Sequence, residues 1–267
     1  MFDLKNPTLK SRLANGPALG AYWFALGNLA VIEAALHAGA EAIVIDMQHG
    51  LFDRASLEAA IATVPPAVPC LVRVQDDTPA AIGCALDAGA EGIIVPLVET
   101  AKQAQSAAAA CHYPPKGHRS GGGIRPLRDF ATYYAVADKA IAVGVMIETK
   151  KGVENAKAIA AAKDVDFVFI GTGDLALSLG TAPGSEAHTR ACRSVLDACR
   201  KAGTPCGIFT LEAESAAQRI ADGYRMSIVA NDVSAIGDYF GRAATAFREA
   251  MQDAGSAAAG RRGKTKR

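Results

Sequence analysis

Four polar clusters interrupt runs of sequence that are otherwise apolar, and each carries residue types suited to chemistry. Ile45-Asp46-Met47-Gln48-His49-Gly50 sets a carboxylate three residues before an imidazole, and Leu71-Val72-Arg73-Val74 buries a guanidinium in an apolar run. Ile147-Glu148-Thr149 ends another such run on an acid, and Gly171-Thr172-Gly173-Asp174 places a second acid behind a glycine-rich turn. Ionisable groups in apolar surroundings are costly unless they are paired or bound to a metal.

Glu148 and Asp174, with few other ligands nearby, suit a hard cation such as Mg2+ or Mn2+ that retains water and keeps open positions. The alternative for each is a helix cap, and Asp174, just before Leu175-Ala176-Leu177, fits an N-cap. His49 differs from His37, His112, His118 and His188 in following a strand end beside an acid. Its imidazole suits a general base whose ring Asp46 orients; the alternative is a solvated loop histidine. Arg73 offers a fork for a substrate carboxylate or a developing anion, and equally a structural salt bridge to Asp46.

These residues need a scaffold that brings strand ends together. Eight short apolar runs recur along the chain: Ala18–Phe24, Ala42–Met47, Cys70–Val74, Gly92–Val98, Ala142–Glu148, Phe167–Ile170, Pro205–Thr210 and Met226–Ala230. Most are apolar nearly throughout, the pattern of parallel strands covered on both faces. Between them lie helix-patterned stretches at Ala30–Ala38, Ala55–Thr63, Pro79–Ala88, Ala101–Cys111, Gly152–Ala162, Glu186–Ala202 and Ser215–Asp222, with Ser234–Ala254 closing the series. This alternation predicts an α/β fold, a (β/α)8 TIM barrel, whose C-terminal strand ends carry the site. A doubly wound sheet would more often show a Gly-rich dinucleotide turn after its first strand, and none is present. The connection from His112 to Asp138, with Gly121-Gly122-Gly123, is long enough for a substrate lid, or is a solvated linker. Residues 1–254 are expected to form one domain, and 255–267, with small residues and five basic ones, a disordered tail.

Composition narrows the partners. With 28 basic and 27 acidic residues the net charge is +1, which gives no field for nucleic acid or an acidic membrane surface. The first residues lack an uninterrupted apolar signal segment and no run is long enough to span a bilayer, so a cytoplasmic protein is expected. The six cysteines form no C-x-x-C pair and read as buried thiols. The turns after the last two apolar runs, Thr210-Leu-Glu-Ala-Glu and Ala230-Asn-Asp-Val-Ser, are acidic where phosphate-binding barrels are glycine-rich, which argues against phosphorylated substrates.

Taken in order, the motifs resemble the HpcH/HpaI aldolase family, the metal-dependent class II pyruvate aldolases. The likeness runs from about Leu9 to Ala250 through Gly20-Ala-Tyr-Trp, Ile45-Asp-Met-Gln-His-Gly, Leu71-Val-Arg-Val, Val95-Pro-Leu-Val, Tyr113-Pro-Pro-Lys-Gly-His-Arg, Ile147-Glu-Thr and Phe169-Ile-Gly-Thr-Gly-Asp-Leu. It implies cleavage of a 4-hydroxy-2-oxo acid to pyruvate, or a close 2-oxo acid, plus an aldehyde. It assigns the metal to Glu148 and Asp174, the base to His49, transition-state stabilisation to Arg73 and the raising of His49 basicity to Asp87. Main-chain groups of Gly171, Thr172 and Gly173 would meet the substrate carboxylate. The metal implied is Mg2+ or Mn2+, with Co2+ or Zn2+ as further candidates, and the assembly a homo-oligomer, a hexamer with a swapped C-terminal helix. Gln48 stands where many members have glutamate, Met146 where rhamnonate-type enzymes carry glutamine, and Arg119-Ser-Gly-Gly-Gly where Arg-Gly-x-Gly is commoner. Those positions bear on the distal end of the substrate.

Three other functions compete. A citryl- or malyl-CoA-type lyase needs a basic surface and an extra element for CoA, neither of which is clear. A Schiff-base aldolase needs a strand lysine pointing into the barrel, yet Lys150 and Lys151 follow Glu148 in an expected loop. A non-catalytic barrel that binds a 2-oxo acid leaves His49 without a purpose.

Overall fold

A computed structural model describes residues 7–264, and the side chains of residues 7–252. Eight parallel strands close a barrel in sequence order: β1 (Leu19–Phe24), β2 (Ile43–Asp46), β3 (Cys70–Arg73), β4 (Gly92–Val95), β5 (Ala142–Ile147), β6 (Phe167–Ile170), β7 (Cys206–Ile208) and β8 (Met226–Asn231). Seven of the expected apolar runs contain a strand outright, and β8 extends its run by one residue to Asn231. The predicted TIM barrel is therefore the observed fold.

Side chains on a strand alternate between its faces, and the barrel sorts them into two cores. Ile43, Ile45, Val143, Val145, Val168 and Ile170 face outward into the layer beneath the helices. Ala42, Val44, Leu71, Ile94, Met146, Phe167 and Phe169 face inward and fill the barrel. Two glycines make room for the inward rings. A Cβ on Gly144 would lie 2.1 Å from the Phe167 ring, and one on Gly207 would lie 2.7 Å from that of Phe169.

The helices add detail that apolar spacing did not reveal. Gly152–Ala162 is broken into Lys150–Glu154 and Ala156–Ala160, and unexpected helices occur at Leu9–Asn15, Ile124–Leu127, Phe130–Ala140 and Thr172–Leu179. Leu9 and Leu13 of the first plug the N-terminal end of the barrel. The final helix runs unbroken from Asp232 to Lys264, taking in most of the stretch for which the sequence predicts a disordered tail; residues 265–267 lie outside the described residues. Ala257-Ala258-Ala259 are strong helix formers and offset the glycines on either side.

Candidate active site

Alternation along the strands places the polar residues. Residues 42, 44 and 46 of one strand, 71 and 73 of the next, and 142, 146 and 148 further round share the inward face, so Asp46, Arg73 and Glu148 form the uppermost inward layer. Pairing of β2 with β3 sets Asp46 directly beside Arg73. A cavity of about 550 Å³ opens above this layer, lined by Trp23, Asp46, Arg73, Met146, Glu148 and the turn 171–174, and further out by Leu177, Phe209, Leu211 and Asn231.

Asp46 is the hub of one half. Its carboxylate accepts from Arg73 Nε at 2.8 Å and from Arg73 Nη2, from Trp23 Nε1 at 3.3 Å, and from the backbone amides of Gln48 at 3.0 Å and His49 at 3.3 Å. Burial alone would raise its pKa, but the Arg73 hydrogen bond and charge, with the two amides, hold the carboxyl below its ordinary value. Arg73 also stacks on Trp23, its Cζ 5.0 Å from the ring centroid. The salt-bridge reading of Arg73 is therefore realised. The expectation that Asp46 orients the His49 ring is corrected: register gives the carboxylate to Arg73, and only the His49 main chain reaches it. The His49 side chain is exposed beyond the strand end.

Glu148 and Asp174 form the other half. Glu148 is 1% exposed, and its Oε1 accepts from the Leu97 amide at 2.8 Å. Leu97 adopts a positive φ of 55°, uncommon for a branched residue, as it presents that amide. Burial is the main reason the Glu148 carboxyl is pushed up to about 7; the Leu97 amide opposes this and the neighbouring Asp174, which shares a hydrogen bond with it, adds to it. A Cβ at Gly171 would lie 2.4 Å from Glu148 Oε2, so glycine is required beside that oxygen. Neither acid is a cap. Thr149 caps the helix after Glu148, and Gly171 begins Thr172–Leu179, which places Asp174 in its first turn. Two adjoining carboxylates, one buried and reluctant to ionise, are a donor set that a hard divalent cation fits. Among the described residues no third His, Cys, Asp or Glu joins them, which leaves the remaining positions to water and substrate.

The backbone amides of Thr172, Gly173 and Asp174 open their helix and have no partner within it, so they offer an anion site beside the carboxylates. His188 steadies that turn. The Gly184 amide donates to its Nδ1 at 3.2 Å, so Nε2 carries the proton and donates to the Thr172 carbonyl at 3.0 Å. Thr172 Oγ1 donates to the Phe209 carbonyl at 3.2 Å, a second tether. In the sequence His188 is one of four histidines without an acid beside a strand end, and Trp23, Phe209, Leu177 and Leu211 are simple apolar residues.

Two predicted features lie elsewhere. Asp87 is the last residue of helix Pro79–Asp87, at the opposite end of the barrel from His49, and accepts from Arg119 Nη2 at 3.0 Å. Arg119 is 5% exposed and also donates to the Tyr133 hydroxyl at 3.0 Å. The segment Gly121-Gly122-Gly123 packs there too, with a Cβ on Gly123 falling 2.6 Å from Asp87. The lid expectation is thus corrected within the chain: the connection follows helix Ala101–Cys111, not a strand, and emerges at the N-terminal face. Lys151 pairs with Glu99 at 2.9 Å on the helix after Glu148, outside the cavity lining, so it offers no Schiff-base lysine.

Fold and site together define a barrel lyase in which an arginine–carboxylate pair faces two adjoining carboxylates. Residues 21–237 match the model of the HpcH/HpaI aldolase/citrate lyase family, and the chain belongs to that family. It is 36% identical over 223 residues to the 4-hydroxy-2-oxovalerate aldolase of Rhodococcus jostii, covering 81% of this chain and 86% of that one. Against the hydroxypyruvate/pyruvate aldolase of Rhizorhabdus wittichii identity is 38% over 225 residues, covering 82% and 89%. An HpcH/HpaI aldolase/citrate lyase family protein from Burkholderia cenocepacia superposes with a TM-score of 0.86 at 32% identity, covering 91% of this chain and 100% of that one. The protein is an aldolase-type lyase, and membership in this group of metal-dependent enzymes supports a divalent cation as its cofactor. No described helix is long and apolar enough to cross a membrane.

Proposed function

We propose that the protein cleaves 4-hydroxy-2-oxo acids to pyruvate, or a close 2-oxo acid, and an aldehyde, and catalyses the reverse addition, with Mg2+ or Mn2+ held by Glu148 and Asp174. The observation that carries this reading is the facing of the Asp46–Arg73 pair and the Glu148–Asp174 pair across one cavity. The activities for which the relatives are named, on 4-hydroxy-2-oxovalerate and hydroxypyruvate/pyruvate, support it.

When bound, the cation supplies Lewis-acid polarisation of the substrate keto oxygen. The amides of residues 172–174 receive the carboxylate of the 2-oxo acid. Arg73, held by Asp46 through Nε and Nη2, keeps Nη1 for the charge that develops on the keto oxygen. His49, through a water molecule, takes the proton of the 4-hydroxyl group as the C3–C4 bond breaks. The bond electrons pass to the 2-oxo fragment, the aldehyde departs, and protonation of C3 gives pyruvate.

Residues 1–254 act as one catalytic domain of a cytoplasmic homo-oligomer, a hexamer in this reading. Exposed Tyr239, Phe240, Phe247 and Met251 on the final helix favour association between copies. Because Asp87 and His49 occupy opposite ends of one barrel, Asp87 raises the basicity of His49 only if a second copy supplies it. Pyruvate release from 4-hydroxy-2-oxo acids, followed by coupled reduction with Mg2+ or Mn2+ present, tests the function. His49→Ala is expected to lose at least about 100-fold in kcat. Undiminished turnover in that variant removes the base, and no turnover of any such acid by intact protein removes the function.

A further inference from the structure

The chain segments that leave the C-terminal ends of β8, β1 and β2 are tied side by side by hydrogen bonds, and the last of them carries His49. The turn 46–51 is held at its start by Asp46, whose carboxylate accepts from the Gln48 and His49 amides. At its end the Leu51 amide donates to the Ala25 carbonyl at 2.7 Å. The two backbones lie in contact: a Cβ on Gly50 would fall 3.1 Å from the Ala25 carbonyl oxygen, and one on Gly27 2.9 Å from that of Leu51.

The segment after β1 is held in turn by Asp232. Pairing of β1 with β8 sets Trp23 opposite Asn231, which brings Asp232, the first residue of the final helix, against the chain just beyond Phe24. Its carboxylate accepts from the Ala25 amide at 3.0 Å through both oxygens and from the Leu26 amide at 2.9 Å. An acid in the first turn ordinarily serves its own helix. Here Asn231 does so, its Oδ1 accepting from the Ser234 amide at 2.9 Å, and the Asp232 carboxylate is directed at a different segment. Asp232 is 5% exposed, and a carboxylate so buried needs donors of this kind. These donors and acceptors all belong to one chain, so a second copy is not needed to complete the arrangement.

We infer that Asp232 is a positioning residue for the base: through Ala25 and Leu51 it fixes the turn on which His49 stands. The inference rests on the aldolase reading above, in which His49 takes the 4-hydroxyl proton through water. The His49 side chain is exposed, so its place at the cavity follows from the main chain beneath it. Asp46 and Asp232 hold that main chain from its two flanks, and a shift of about 1 Å in a reacting group costs up to about 100-fold in rate. The bonds of this relay reach neither the amides of residues 172–174 nor Glu148 and Asp174, so binding of the 2-oxo acid is left in place.

The test follows pyruvate release with Mn2+ present. Asp232→Ala is expected to lower kcat about 10- to 100-fold, with KM for the 4-hydroxy-2-oxo acid changing less than about twofold. A double-mutant cycle separates positioning from a general loss of structure: in a His49→Ala background, Asp232→Ala should lower kcat by no more than about twofold further. Asp232→Asn, which retains one acceptor oxygen, is expected to recover part of kcat, and it enters the same cycle if the alanine variant misfolds. Hydrogen exchange over residues 47–52 gives a readout that needs no turnover, with the Leu51 amide exchanging at least about tenfold faster in the variant. Unaltered exchange there in a folded variant, or losses that multiply in the cycle, overturns the inference. Absence of turnover by the natural protein instead overturns the aldolase reading, while the exchange result still decides whether Asp232 holds the turn.

Discussion

Asp46→Asn is the substitution for which structure gives the clearest magnitude. The carboxylate accepts five hydrogen bonds, two of them from the Arg73 guanidinium, and the pair is almost wholly buried, with side chains 10% and 3% exposed. Asparagine keeps the shape and one acceptor oxygen, so the amides of Gln48 and His49 can stay satisfied. Its NH2 then faces Arg73 Nη2 and Trp23 Nε1, donor against donor, while Arg73 remains a buried charge without its counter-ion. Loss of one member of a buried pair costs about 3–5 kcal/mol. The retained oxygen places this change at the lower end, about 3 kcal/mol. For a domain of this size that is a fall in Tm of roughly 6–12 °C. Misplacement of the Arg73 donor should also lower kcat by about 100- to 1000-fold. The carboxyl is held below its ordinary 3.8 in the folded protein, so its contribution is present above that pH and disappears as pH falls through the lower folded value. The stability gap between natural and Asp46→Asn proteins, measured by thermal or urea unfolding, should therefore narrow in strong acid. A variant within about 0.5 kcal/mol of the natural protein, with kcat intact, would refute the placing of Asp46 as the support of Arg73.

Glu148 titrates with the opposite sign. Its folded carboxyl is held up to about 7 against an ordinary 4.5, so the cation-free protein binds this proton more tightly than the unfolded chain does; the stabilisation is full below 4.5 and is lost as pH rises through 7. A cation must displace the proton, and Mn2+ affinity measured calorimetrically should fall about tenfold for each pH unit below 7; affinity indifferent to pH would contradict the assignment of Glu148 as ligand. His188→Phe removes the donor to the Thr172 carbonyl, and steady-state kinetics should show KM for the 2-oxo acid rising about three- to tenfold with a smaller change in kcat. His188→Gln should recover part of that KM effect, whereas a purely structural loss would lower the active fraction and leave KM alone.

Much of this was legible in the sequence because the physics is local. Parallel strands covered on both faces must be apolar throughout, so Ile43–Asp46 and Phe167–Ile170 stand out, and an acid at the inward position of such a strand can only point into the barrel. Glu148 is identified on those grounds alone. The errors come from information that spacing does not hold. Spacing offers Asp46 to His49, three residues away, but the register of β2 against β3 sets it beside Arg73, a neighbour 27 positions distant. The connection that carries glycines 121–123 is long enough for a lid, yet helix Ala101–Cys111 has already returned the chain to the other end of the barrel. Trp23, Phe209 and Leu211 are invisible as cavity residues, since an apolar side chain in a cavity wall and one in a core have the same sequence signature. His188 gains its role only from the fold, which sets its ring against a carbonyl 16 residues earlier.

Glu148 and Asp174 are proposed to hold a divalent cation on which pyruvate-forming cleavage depends. Pyruvate release from a 4-hydroxy-2-oxo acid by chelator-stripped protein, before and after addition of Mn2+, in the natural chain and in Glu148→Gln, tests it most directly. The expected result is negligible activity after stripping, recovery with Mn2+ in the natural protein, and no recovery at the same concentration in Glu148→Gln. Full activity in the stripped protein, abolished by borohydride in the presence of substrate, would contradict it and point to a lysine adduct instead.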